Sequence, residues 1–274
     1  GRISPQDLGI WSDAHADALR PITSSIRDRG SVPGIQLAHA GRKASKTRPW
    51  EGSEPLTGPD GWETIAPTDA PWPYEGSEVP TRAMTAADID GVIDAFVAAA
   101  ERAHDAGFEV AEIHAAHGYL LHEFLSPVTN TRDDAYGGDF EGRTRLLREI
   151  ASAVREVWPD DRPLFVRISA TDWLPDRESW TVEDSVRLAG DLAPLGVDLI
   201  DVSGGGIHPD QRIPATGAGY QERYARRVKE ESEGSIAVGA VGGITTPEQA
   251  DALVRNERGD LAIVGREHLR DPYF

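Results

Sequence analysis

The chain has 274 residues, 46 acidic and 28 basic, for a formal charge of -18, and it contains no cysteine. The length suits one large α/β domain or two small ones and can bury a substantial core. The charge opposes nucleic-acid binding, and the missing cysteine excludes disulfides, thiolate nucleophiles and iron–sulfur ligation within the chain.

No run of ~18 apolar residues offers a membrane span, no signal-peptide pattern opens the chain, and a cytoplasmic location is the expectation. The basic residues include only three lysines, Lys43, Lys46 and Lys229. An acidic surface with scarce lysine fits a halophilic, high-salt cytoplasm, and an arginine-biased genome explains the lysine scarcity equally well.

The first predicted helix follows Ser12 and carries Leu19, Ile22 and Ile26 on one face before Gly30, with Pro21 as a potential kink. "VPGIQLAHA" (32–40) reads as a strand. Residues 41–84 form a long segment rich in Pro, Gly and Trp, of the kind that serves as a functional loop or lid. Thr85-x-x-Asp88 opens a helix with Ile89, Val92, Ile93, Phe96 and Val97, ended by Gly107. "FEVAEIHA" is the next strand, and a loop with Gly137 and Gly138 leads to a helix carrying Leu146, Leu147, Ile150 and Val154. "PLFVRISA" is a strand, and Thr181-x-x-Asp184 opens a helix that closes at Gly196. "VDLIDVSGGG" and "SIAVGAVGG" are strands. Thr246-Pro247-Glu248-Gln249 supplies an N-cap, a proline at the first helical position and a capping-box glutamine. "DLAIVG" is the last strand.

Six strands alternating with helices, with no internal linker, predict a parallel sheet in one domain. Continuous apolar strands fit a sheet covered on both faces. Periodicity does not separate an open doubly wound sheet from a (β/α)8 barrel, and no G-x-G-x-x-G follows a first strand, which counts against a Rossmann dinucleotide site.

Polar residues recur where these strands end: Gln36 and His39, His114 and His117, Arg167 and Ser169, Ser203, then Gly242 with Gly243, and Gly265 with Arg266. Parallel α/β folds bind ligands at that edge, and the last two glycine loops suit a phosphate, with Arg266 as an added cation. Tight turns are the plain alternative for each glycine. Gln36 and Arg167 sit inside apolar strands and need partners; a core carboxylate would serve Arg167, and a flat heterocycle with donors and acceptors would serve both.

The segment "EIHAAHGYLLHEFLSP" (112–127) crowds three of the eight histidines around Tyr119. A metal reading would join His114 and His117 to Asp201, but neither H-E-x-x-H nor H-x-H is present. A packing role is a second reading. In the third, two neutral imidazoles donate to a carbonyl oxygen or oxyanion while Tyr119 supplies a proton.

"GIQLAHAGRKA", "AEIHAAHGYLLHEFLSPVTNTRDDAYGG", "GRTRLLREI", "LFVRISATD", "GVDLIDVSGGG" and "AVGAVGGI…DLAIVGREHLRDPYF" together resemble the Old Yellow Enzyme family of flavin-dependent ene-reductases, most of all its YqjM-like branch. The resemblance covers almost the whole chain. It implies a single FMN-binding domain over 1–274, a (β/α)8 TIM barrel lacking counterparts of the family's first two strands and last helix. It further implies noncovalent FMN, reduced by NAD(P)H, at the C-terminal face, with Gln36 at the flavin pyrimidine edge and Arg167 beside N1 and O2. Gly242, Gly243, Gly265 and Arg266 match the phosphate loops. His114 and His117 match the pair that grips a carbonyl or nitro oxygen, and Tyr119 matches the proton donor. The implied substrates are small activated alkenes, with no metal, and the assembly is expected to be a homo-oligomer. Relatives that reduce dienoyl-CoA or oxidise amines carry iron–sulfur cysteines, which this chain lacks. A non-catalytic incomplete barrel and a metal-dependent barrel hydrolase remain as alternatives of other classes.

Overall fold

The structure, a computed structural model, describes residues 1–75, 78–232 and 234–274. Its six expected strands form one sheet: β1 (Gly34–Leu37), β4 (Val110–Ala115), β5 (Leu164–Ser169), β6 (Leu199–Ser203), β7 (Ala237–Val241) and β8 (Leu261–Ile263). Every pairing is parallel, and the strands lie side by side in chain order. Among the described residues β1 and β8 do not pair with each other, so the sheet is open rather than a closed eight-stranded barrel.

The two faces of this sheet differ. Ala111, Ile113, Ala115, Leu164, Val166, Ile168, Ile200, Val202 and Val238 are fully buried. Helix α2 (Ala86–Asp105) and helix α4 (Phe140–Val157) pack together and join this core through Ile89, Val92, Phe96, Leu146, Leu147, Ile150 and Val154. Alternation along each strand sends Gln36, Glu112, His114, Arg167, Ser169, Asp201 and Ser203 to the opposite face. The expectation of strands apolar on both sides therefore holds for one face only.

Several local expectations are met. Thr85 and Asp88 form a reciprocal capping box at α2, as do Thr181 and Asp184 at α5 (Val182–Leu192). Helix α1 (Asp13–Arg27) continues through Pro21.

Others are corrected. The buried positions of α1 are Ala16 and Thr23, flanked by partly buried Leu19 and Ile26, while Ile22 is 52% exposed. Thr23 displaces it because its hydroxyl donates to the Ala106 carbonyl at 2.6 Å, an interaction that apolar periodicity does not register. Gln249 caps α7 (Pro247–Arg255) through the Thr245 N–H instead of the Thr246 N–H, so the box is not reciprocal.

The 41–84 segment is not structureless, although its residues 76 and 77 lie outside the described set. It carries three short 3-10 turns and a small parallel pair, β2 (Thr64–Ala66) with β3 (Thr81–Ala83). Three further helices stand where no element was expected: α3 (Leu120–Leu125), α6 (Glu222–Glu231) and the short α8 (Arg266–Arg270). The first is buried on every side and the second buries only Ala225 and Val228, so neither shows a usable apolar stripe.

Replacing Thr85 with Ala removes the side-chain acceptor for the Asp88 N–H. This should lower stability by about 1 kcal/mol, read as a lower urea midpoint with an unchanged denaturant slope.

Candidate active site

Parallel register sets the polar face. His114 lies opposite Arg167, and Arg167 lies opposite Asp201 on the next strand. Gln36 lies opposite Glu112. Four neighbouring strands thus present amide, carboxyl, imidazole and guanidinium groups on one surface.

The chain leaves β4 through a tight left-handed turn. His117 has φ 60° and Gly118 φ 72°. A Cβ on Gly118 would run into the Gly206 carbonyl of the loop after β6, so the two loops pack backbone to backbone. Three hydrogen bonds lock the turn. The His117 N–H donates to Ser169 Oγ at 2.9 Å, and Lys43 Nζ donates to the carbonyls of His117 at 2.7 Å and Gly206 at 3.0 Å.

This geometry brings the expected cluster together. The His114 ring centroid is 5.1 Å from that of His117 and 5.3 Å from that of Tyr119. His117 Nε2 lies 2.7 Å from Ser203 Oγ. His114 makes no side-chain hydrogen bond to the described residues, and its Nδ1 is buried without a partner. Burial, then the nearby cations, pushes His114 down to about 3. Burial and the His114 imidazole push His117 down to about 2. Both rings are therefore neutral at ordinary pH, each with one N–H. Burial raises the Tyr119 phenol, which keeps its proton.

His122, the third histidine of the segment, belongs to the scaffold. It is fully buried, accepts from the Gly118 N–H through Nδ1 at 2.9 Å, and so presents Nε2–H to Asp172 Oδ1 at 2.9 Å. Asp172 also accepts from Ser126 and from the Trp180 N–H.

Gln36 and Arg167 each meet a carboxyl group. Gln36 Nε2 donates to Glu112 Oε1 at 2.6 Å. Arg167 Nε sits 3.0 Å from Asp201 Oδ2, but off the line that a hydrogen bond requires, so the contact is an ion pair only. The remaining Arg167 N–H groups make no hydrogen bond to the described residues. Asp201 is committed to Arg167 and not to His114 and His117, and no group of three His, Cys, Asp or Glu side chains gathers with metal-site geometry among the described residues.

Two adjacent strands end in the glycine loops. Gly242 (φ 119°) and Gly243 (φ 67°) follow β7, and a Cβ on either would strike Gln221 or the Gly217 backbone. Gly265 precedes helix α8 (Arg266–Arg270) with open space where a Cβ would stand. Arg266 is exposed and makes no ion pair among the described residues.

Sequence reasoning missed Lys43 as a site residue. Burial first, and then Lys46, lowers its ammonium to about 8, and it lies 4.5 Å from the Trp72 ring centroid and 5.2 Å from that of Tyr119. Its rarity as one of three lysines was the available signal.

A family model described as the NADH:flavin oxidoreductase / NADH oxidase family matches residues 1–274. The chain belongs to this family. It is 49% identical to an NADPH dehydrogenase of Geobacillus sp., covering 100% of this chain and 74% of that one. It is 48% identical to an NADPH dehydrogenase of Bacillus licheniformis with the same coverage. Among solved structures, an old yellow enzyme homologue from Zymomonas mobilis superposes with a TM-score of 0.78 at 26% identity, over 100% of this chain and 74% of that chain. A 2-naphthoyl-CoA reductase complex gives a TM-score of 0.86 at 27% identity, and there the chain spans only 41% of the longer protein. The protein is thus of the flavin oxidoreductase type that uses FMN and NAD(P)H. No helix among its described residues is long and apolar enough to cross a membrane.

The residues present fit FMN. Free Arg167 donors suit an anionic pyrimidine edge, Gln36 offers an amide beside it, and the glycine loops with Arg266 suit a phosphate. Ring-nitrogen NMR chemical shifts should show His114 and His117 neutral throughout the range from pH ~8 to ~5, where an ordinary histidine titrates near 6.5.

Proposed function

We propose that the protein reduces activated alkenes, with His114, His117 and Tyr119 as its catalytic residues. The observation that carries this reading is the convergence of two neutral imidazoles and one protonated phenol beside the Arg167 cation. When bound, FMN supplies hydride, drawn from NAD(P)H, to the β-carbon of an α,β-unsaturated carbonyl or nitro compound.

His114 and His117 act on the substrate oxygen. A neutral imidazole donates through one N–H and, unlike an imidazolium, does not surrender its proton to the developing oxyanion. For His117, a Ser203 hydroxyl that donates to Nε2 leaves Nδ1–H as the ring donor. Drawing charge onto the oxygen leaves the β-carbon electrophilic, and each such donor is typically worth ~3 kcal/mol. Tyr119 Oη delivers the proton to the α-carbon, a contribution of ~10²–10⁴-fold for a positioned acid.

The cofactor is held by other groups. Arg167 and Gln36 face its pyrimidine edge, and Gly242, Gly243, Gly265 and Arg266 hold its phosphate. Arg167 there favours the reduced, anionic flavin, since a fixed cation interacts most strongly with the state of greater negative charge.

The test is an absorbance spectrum followed by half-reaction kinetics. The protein should bind FMN, and NAD(P)H should bleach it; a colourless protein that takes up no FMN would support the non-catalytic alternative. Arg167→Ala should weaken FMN binding and lower the flavin potential, and an unchanged potential removes its assigned role. His114→Ala and His117→Ala should each weaken phenol binding and slow alkene reduction by about 10²-fold or more, with a smaller effect on flavin reduction. Tyr119→Phe should retain phenol binding while slowing the alkene half-reaction. A double histidine variant that reduces cyclohexenone at the wild-type rate would refute the mechanism.

A further inference from the structure

Two carboxyl groups on the polar face, the buried Asp201 and the partly buried Glu112, have no part in the chemistry above. Glu112 and Asp201 lie on either side of Arg167, on β4 and β6, and come within hydrogen-bonding reach of each other. Glu112 Oε1 accepts from Gln36, and Asp201 Oδ2 faces Arg167. Asp201 is 1% exposed, and its second oxygen, Oδ1, is buried with no hydrogen-bond donor among the described residues. A buried carboxylate oxygen without a donor is costly, and it ceases to be so if it carries a proton and donates to another carboxylate.

We propose that Glu112 and Asp201 are positioning residues for the flavin site, joined by one retained proton, Glu112 fixing Gln36 and Asp201 fixing Arg167. This rests on the reading of Gln36 and Arg167 as flavin contacts.

The charge count favours a single proton. Two carboxylates and one guanidinium carry a net charge of about -1, with Asp201 at a buried position, and one proton restores neutrality. The direction of each ionisation agrees. Burial raises both groups and the Arg167 cation lowers both; the neighbouring Glu112 charge and hydrogen bond raise Asp201 further, and hydrogen bonds with Gln36 and Asp201 lower Glu112. The charged and titratable groups facing the pair are Arg167 from β5 and His114 from β4; β1 contributes the uncharged Gln36, and β7 contributes Gly239 opposite Asp201.

A regulatory consequence follows for the cofactor. As pH rises through the upper ionisation of the pair, the site gains one negative charge beside Arg167. That charge disfavours reduced FMN more than oxidised FMN, so the flavin potential falls by more than ordinary flavin protonation explains. Asp201→Asn keeps the shape and removes the retained proton. At mildly acidic pH the wild type holds one proton across two carboxyls, and the variant holds one ionised Glu112, so their charges are equal.

Two measurements test the proposal. First, the infrared spectrum of the flavin-free protein at neutral pH should contain a protonated-carboxyl band that disappears in Asp201→Asn. Buried Glu123, pushed up to about 8, contributes a separate band, which Glu123→Gln identifies. Second, the midpoint potentials of bound FMN in wild type and Asp201→Asn should agree in mildly acidic solution. They should diverge in mildly alkaline solution, with the wild type lower by about tenfold in the relative affinity for reduced flavin, or ~30 mV for a two-electron couple. A constant offset at every pH would reflect altered packing alone and would overturn the shared proton, as would coincident potentials throughout. If the protein binds no FMN, the functional reading fails, while the infrared band still decides whether the proton is retained.

Discussion

The ammonium group of Lys43 holds the site in one piece. By donating to the carbonyls of His117 and Gly206 it ties the loops that follow β1, β4 and β6, and its approach to Trp72 brings in the 41–84 segment. The turn it braces is unfavourable by itself, because a non-glycine residue in the left-handed region costs ~1–3 kcal/mol. A charge-assisted hydrogen bond in a buried setting contributes a comparable amount, about 1.5–3 kcal/mol, and can sustain that conformation. Without the turn, the chain after β4 would carry His117 and Tyr119 away from His114.

A sheet packed on one face and polar on the other is unusual for parallel strands, which are ordinarily apolar on both. Here the polar face tolerates its density of ionisable groups by limiting net charge. Burial keeps the imidazoles of His114 and His117 neutral, and Arg167 stands between two carboxyls. The result is a surface with many hydrogen-bonding groups and few uncompensated charges, which suits a planar heterocycle better than a hydrated ion.

Two folding errors of sequence reasoning share a cause. Ile22 was placed inward and Thr23 was overlooked because periodicity ranks side chains by apolarity, whereas the Thr23 hydroxyl finds the Ala106 carbonyl 83 residues away. Arg167 is a polar intruder in the apolar β5, whereas Gln36 is exposed on β1 and not the core amide that its apolar neighbours suggest. For Arg167 the sequence leaves a carboxylate and a heterocycle as rival partners, and the structure places Asp201 beside it while its other N–H groups have no hydrogen-bond partner among the described residues.

By itself the sequence determined the six strands, the principal helices with their Thr–Asp caps, the parallel class, and the polar residues at the strand ends. These are local properties, written in spacing over a few residues and in the capping preferences of Thr, Asp and Pro. The tertiary structure alone decided that His122 serves Asp172 instead of the site, that Ser203 meets His117, that Lys43 bridges three loops, and that Glu112 and Asp201 flank Arg167. Each of those depends on the register between neighbouring strands. Register brings together residues separated by 34 to 163 positions in the chain, and no local pattern encodes it.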